Sequence, residues 1–100
     1  MRVRVLTSAF KDLSAGREFY ERQADGIGDY FLDSVFADID SLALYGGIHR
    51  STMGFFRMLA RRFPYAIYYK MDSDNSVIVH RVLDCRRDPR RIRRALKSSE

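Results

Sequence analysis

The sequence predicts an α+β domain: an N-terminal strand and a helical hairpin packed on a small antiparallel sheet, closed by a short C-terminal helix. Three observations predict it. Between Ser8 and Leu44, apolar residues recur at helical spacing, broken only at Asp25–Gly26. From Gly54 to Leu83 the chain changes to runs rich in aromatic and β-branched residues, separated by turn-formers. Finally, Asp88–Pro89 leads into a basic run, the pattern of an N-cap followed by proline in the first helical position. The 100 residues make one domain, and 46% hydrophobic residues suffice for a core. A domain this small buries a modest share of its surface, so marginal stability without a partner is expected.

Each element follows from its residues. Arg2 to Leu6 alternates arginine and valine, which suits a short strand with one solvated face. Ser8 is placed to cap a first helix, whose stripe is Ala9, Leu13, Gly16 and Tyr20, flanked by Phe10 and Ala24. Gly16 weakens that helix by about 1 kcal/mol relative to alanine, unless it serves close packing against a neighbour. The second helix is expected from about Ile27 to Leu44, with Ile27, Phe31, Val35, Ile39 and Leu42 inward and Asp29, Asp33 and Asp40 outward. A short connection makes the two an antiparallel hairpin.

Tyr45 to His49, with its glycine pair, reads as a flexible loop. A strand is expected from Gly54 to Arg62, ending at Phe63–Pro64 because proline cannot donate to a ladder. Tyr65–Met71 and Val77–Leu83 read as a hairpin around the turn-forming residues 72–76. Alternation puts Tyr65, Ile67 and Tyr69 on one face and Ala66, Tyr68 and Lys70 on the other, so both faces are partly covered or one binds something. The last helix runs from Arg90 to Lys97, and Ser98 to Glu100 is expected to fray.

Charge is uneven. Residues 1–80 carry ten Lys/Arg and ten Asp/Glu, whereas residues 81–100 carry eight against three, so the net charge of +5 sits in the last fifth of the chain. That suggests an anionic partner, nucleic acid or acidic protein, with a solvated basic helix as the alternative. One cysteine, Cys85, excludes an internal disulfide and reads as a strand-end residue. His49 and His80 stand alone, so no metal or other cofactor is implied. The opening apolar run is too short for a signal peptide or a membrane span, which points to a cytoplasmic protein with no membrane partner.

The run Arg61-Arg62-Phe63-Pro64-Tyr65-Ala66-Ile67-Tyr68-Tyr69, then Val77 to Leu83, then Arg86-Arg87-Asp88-Pro89, resembles the ParE branch of the RelE/ParE toxins of toxin–antitoxin (plasmid stabilisation) systems. The resemblance spans essentially the whole chain. It implies a RelE/ParE-like fold, and an antitoxin partner whose C-terminal segment wraps and masks the toxin. It also implies a target. ParE-type members inhibit DNA gyrase, whereas RelE-type members cut messenger RNA in the ribosome.

Chemistry separates the branches. Cleavage by the RNA 2′-hydroxyl needs a base, an acid and cations at the phosphate. On the RelE-type pattern the middle-strand arginine falls on Ala66 and the C-terminal tyrosine near Ile92, while Arg86 matches the arginine after the last strand. The ParE-like reading, a non-enzymatic inhibitor of gyrase neutralised by an antitoxin, is therefore preferred. The alternatives are a ribosome-dependent mRNA endonuclease built on His80, Arg86 and Arg57 or Arg61, or a degenerate member without toxicity. His80 reads otherwise as a strand histidine packed between Ile78 and Val82. Arg57 and Arg61 are expected on one strand face, contacting a partner or pairing with Asp38 or Asp40. Arg86 and Arg87 have a structural or partner role, capping the sheet edge or holding Asp88; Arg90 and Arg91 are weaker candidates for target contact. Tyr30 and Leu44, off the apolar stripe of the second helix, are candidates for antitoxin contact.

Overall fold

In the computed structural model, residues 1–99 are described. The chain runs β1 (Val3–Val5), α1 (Thr7–Glu21), α2 (Ile27–Tyr45), β2 (Arg50–Thr52), β3 (Phe55–Leu59), β4 (Tyr65–Met71), β5 (Val77–Asp84) and α3 (Pro89–Lys97). The five strands form one sheet in the order β1-β5-β4-β3-β2. β1 joins β5 in parallel and every other pair is antiparallel, so the sheet is mixed rather than wholly antiparallel. The α+β architecture is the one expected: a helical hairpin on a sheet, with a short terminal helix.

The hairpin covers one face. Leu13, Tyr20, Phe31, Val35, Ile39 and Leu42 pack against Tyr65, Ile67, Tyr69, Val79 and Val82. Gly16 is the contact point of the two helices: a Cβ there would lie 2.6 Å from the Phe31 ring. α3 covers the other face, seating Leu96, with Ile92 and Ala95, over Phe55, Ala66, Tyr68 and Leu83. The alternation along β4 thus serves two cores, each facing a different helical layer.

Several expectations are corrected. Ser8 does not cap α1. The helix starts at Thr7, its cap position is Leu6, and the Ser8 hydroxyl instead donates to the His80 carbonyl at 2.6 Å. The reason lies in β1, which pairs with β5 only as far as Val79 and leaves the rest of that edge open. Ser8 and Asp12 take over from it, the Asp12 carboxylate accepting the Val82 amide at 2.9 Å.

The Tyr45–His49 loop is held at both ends of its glycine turn. The Tyr69 hydroxyl accepts from the Gly47 amide at 2.9 Å and lies 2.6 Å from His49 Nδ1. The strand expected from Gly54 to Arg62 ends at Leu59, since the Ala60 amide turns to Tyr65 and the Arg61 amide to the buried Asp38 carboxylate. β2 was not foreseen. It is short, polar and exposed, and it joins β3 through Met53–Gly54, both with positive φ (52° and 82°), as a two-residue hairpin turn needs.

At the other end, Asp88 caps α3 as expected, accepting from the Arg90 amide. The expected fraying does not hold for Ser98 and Ser99. Both hydroxyls donate to the Ala95 carbonyl, and the Ser99 carbonyl lies 2.9 Å from His80 Nδ1. Glu100 lies outside the described residues.

Candidate functional site

The candidate catalytic groups fall on three separate parts of the molecule. His80 is the extra residue of a bulge in β5, since Tyr69 pairs with Val79 and Tyr68 with Arg81. It is not packed between Ile78 and Val82 alone. Its ring stands edge-on to Phe55 at 5.3 Å and bonds to Ser99, under the end of α3. Burial lowers its pKa, and the nearby Lys70 ammonium acts in the same direction. Arg57 lies on the α3 face of β3, its guanidinium donating to the Tyr68 hydroxyl at 3.2 Å and lying 3.6 Å from Cys85 Sγ. Arg61 is outside the strand altogether, an exposed side chain on the β3–β4 connection, so it does not share a strand face with Arg57.

Arg86 sits on the hairpin side. It pairs with Asp84 at 2.8 Å and reaches the Tyr20 hydroxyl at 3.4 Å. The bond from Arg86 holds the Asp84 carboxyl below its ordinary range. Among the described residues, no hydrogen bond or ion pair joins any two of His80, Arg57, Arg61 and Arg86.

The remaining candidates are placed as follows. Arg86 braces Asp84, not Asp88, whose ion-pair partner is Arg90. Arg87 is exposed and lines a small pocket of about 320 Å³ with Asp84, Arg86, Tyr65, Asp12 and Phe19. Arg91 is exposed on α3. The acidic residues proposed for Arg57 and Arg61 do not pair with their guanidinium groups: Asp38 takes the Arg61 backbone amide, and Asp40 is exposed. Tyr30 is half exposed with its ring 5.6 Å from that of Phe63, and Leu44 is 77% exposed.

Two features escaped the sequence. One is the tie around the open edge of β5. Arg81 makes two bonds to Asp12 of α1, at 2.7 and 2.8 Å, and a third to the Ala95 carbonyl of α3, at 3.2 Å. Both partners are largely buried, and the Asp12 bond raises the Arg81 pKa. One arginine therefore links both helical layers to the sheet. The other feature is a cleft of about 570 Å³ between α3 and the β2–β3 hairpin, lined by Arg50, Arg57, Arg93 and Tyr68 with apolar Leu59 and Ile92. Arg93 lies at least thirty-six positions beyond Arg50 and Arg57, so no local motif announces the group.

No protein-family model matches the chain, and no curated protein matches it. Solved structures do. A chain of the chromosomal ParDE TA system from P. aeruginosa superposes with a TM-score of 0.73 at 15% identity, over 82% of this chain and 92% of that one. A chain of the toxin–antitoxin complex RelBE2 from Mycobacterium tuberculosis matches at 26% identity over 81% and 93%, with a TM-score of 0.46, too loose a superposition to add to the first. The fold is therefore one found in toxin–antitoxin systems. Among the described residues, no helix is long and apolar enough to cross a membrane.

Proposed function

We propose that this chain is the toxin of a toxin–antitoxin pair, that it acts in the cytoplasm, and that it works by binding a protein target, DNA gyrase by its motifs, rather than by cutting RNA. The fold shared with a ParDE chain supports the toxin reading. The observation that carries the non-enzymatic reading is the dispersal of His80, Arg57, Arg61 and Arg86. General acid–base catalysis needs its groups within hydrogen-bond reach of one scissile bond. Here Arg57 and His80 lie on the α3 face, Arg86 lies on the hairpin side against Tyr20, and Arg61 lies on a connecting loop.

Antitoxin binding accords with the surface. Phe10, Phe19, Tyr30, Leu44, Tyr45 and Ile48 are large apolar side chains at least two-fifths exposed on the hairpin and the loop after it. Purified protein incubated with ribosomes and messenger RNA should give no discrete cleavage at any concentration. Specific fragments that vanish in Arg57→Ala would replace this reading with an endonuclease centred on the α3 cleft. That second reading has one observation in its favour, the contact of the Arg57 guanidinium with the Tyr68 hydroxyl inside the cleft.

A further inference from the structure

Arg50 of β2 and Arg57 of β3 are direct cross-strand partners. Two like charges in facing positions repel, and a sheet normally avoids them. Arg93 of α3 adds a third guanidinium to the same cleft, and no carboxylate is among the cleft's lining residues. Among the described residues, none of the three forms an ion pair, whereas Arg17, Arg81, Arg86 and Arg90 all do. The Tyr68 hydroxyl fixes the Arg57 guanidinium, so the charge is held in place rather than dispersed into solvent.

The rest of the lining narrows the ligand. Leu59 and Met53 are exposed and apolar at 59% and 38%, and Ile92 joins them. β2 is the last strand of the sheet, and all three of its residues are exposed. An edge strand offers unpaired backbone donors and acceptors to an incoming strand. Arginines beside apolar side chains and an open edge suit an extended chain that alternates acidic and apolar residues.

We propose that the cleft between α3 and the β2–β3 hairpin binds an acidic, extended segment of a protein partner, which pairs with β2 and sets carboxylates against Arg50, Arg57 and Arg93. This deepens the reading of the chain as a toxin held by a protein partner, and it rests on that reading for the partner's identity only.

The test combines binding with stability. The probe is a labelled ten-residue peptide alternating glutamate and valine, compared with a peptide carrying lysine for glutamate and with a labelled oligothymidylate of equal charge. The acidic peptide should bind the whole protein, more weakly as salt rises. Arg50→Glu with Arg93→Glu should weaken it by ~10-fold or more, and the lysine peptide should recover binding to that variant. Both positions are exposed, and removing the facing charge should raise the melting temperature of the free protein by about 2 °C, so loss of binding is not loss of fold. Tighter binding of the oligothymidylate would overturn the inference in favour of a nucleic-acid site. Equal binding of the acidic peptide to wild type and variant, or no binding to either, would also overturn it. Growth arrest takes no part in these readouts: a chain that binds the peptide yet arrests nothing keeps the cleft and loses the toxin reading, and the reverse result does the opposite.

Discussion

Two residues hold the layers in register, and each is testable by itself. Gly16 lets Phe31 lie against α1, and the 2.6 Å approach of an added Cβ to that ring leaves no room for alanine. Alanine is the better helix former by about 1 kcal/mol. Overpacking costs about 1–3 kcal/mol, so the clash should win and Gly16→Ala should unfold at lower urea. A midpoint above wild type would mean that Phe31 moves aside freely. Asp12 answers both the Arg81 guanidinium and the open Val82 amide. Asp12→Ala strands a largely buried cation and an edge donor, and a loss of about 3 kcal/mol is expected in chemical denaturation. Pairing it with Arg81→Met should recover part of that loss. Close packing at Gly16 is one of the two readings its sequence offers, whereas the role of Asp12 is not visible there. Asp12 is one of several acids off the α1 stripe, and its partner lies sixty-nine positions away.

Among the elements, those whose side chains follow a simple period were legible and those defined by an edge were not. The helical hairpin and the β4–β5 hairpin announce themselves because buried residues recur at 3.6 or 2. β2 carries Arg50, Ser51 and Thr52, all exposed, and has no such pattern. Only its turn betrays it, through the left-handed Met53–Gly54 pair. A methionine in that conformation is strained, so Met53→Asn should stabilise the domain by about 0.5–1 kcal/mol, measured as a raised denaturation midpoint.

The docking of α3 has a pH signature. Burial lowers the pKa of His80, and of His49 in the loop against Tyr69. A histidine whose folded pKa is depressed takes up its proton first in the unfolded chain. Its contribution is whole above the unfolded value of about 6.5 and is lost as pH falls toward the folded one. Melting temperature should therefore drop between pH 7.5 and 5.5. His80→Gln, which keeps a donor for the Ser99 carbonyl, should flatten the drop, and an unchanged slope would assign it to His49 alone. The depressed Asp84 carboxyl acts only at lower pH, near and below the ordinary carboxylate range.

For the whole molecule, local motifs and three-dimensional assembly carried different information. The Phe63–Tyr69 run and Arg86-Arg87-Asp88-Pro89 pointed to a fold that the superposition on a ParDE chain supports. Arg86, the motif arginine after β5, braces Asp84 and Tyr20 instead of joining Arg57 and His80. The arginine cleft went unread because Arg50, Arg57 and Arg93 meet only after α3 folds back over the sheet. The proposed binding role draws on three features of this surface: apolar side chains exposed on the hairpin, cleft arginines without an ion pair among the described residues, and candidate catalytic groups kept apart. The measurement that tests this most directly is induction of the chain alone in a sensitive bacterial host carrying a DNA-damage reporter, with soluble protein confirmed. The account predicts growth arrest with the reporter on, relieved by co-expression of an antitoxin that binds the chain. Arrest with a silent reporter and fragmented messenger RNA, or undisturbed growth, would contradict it.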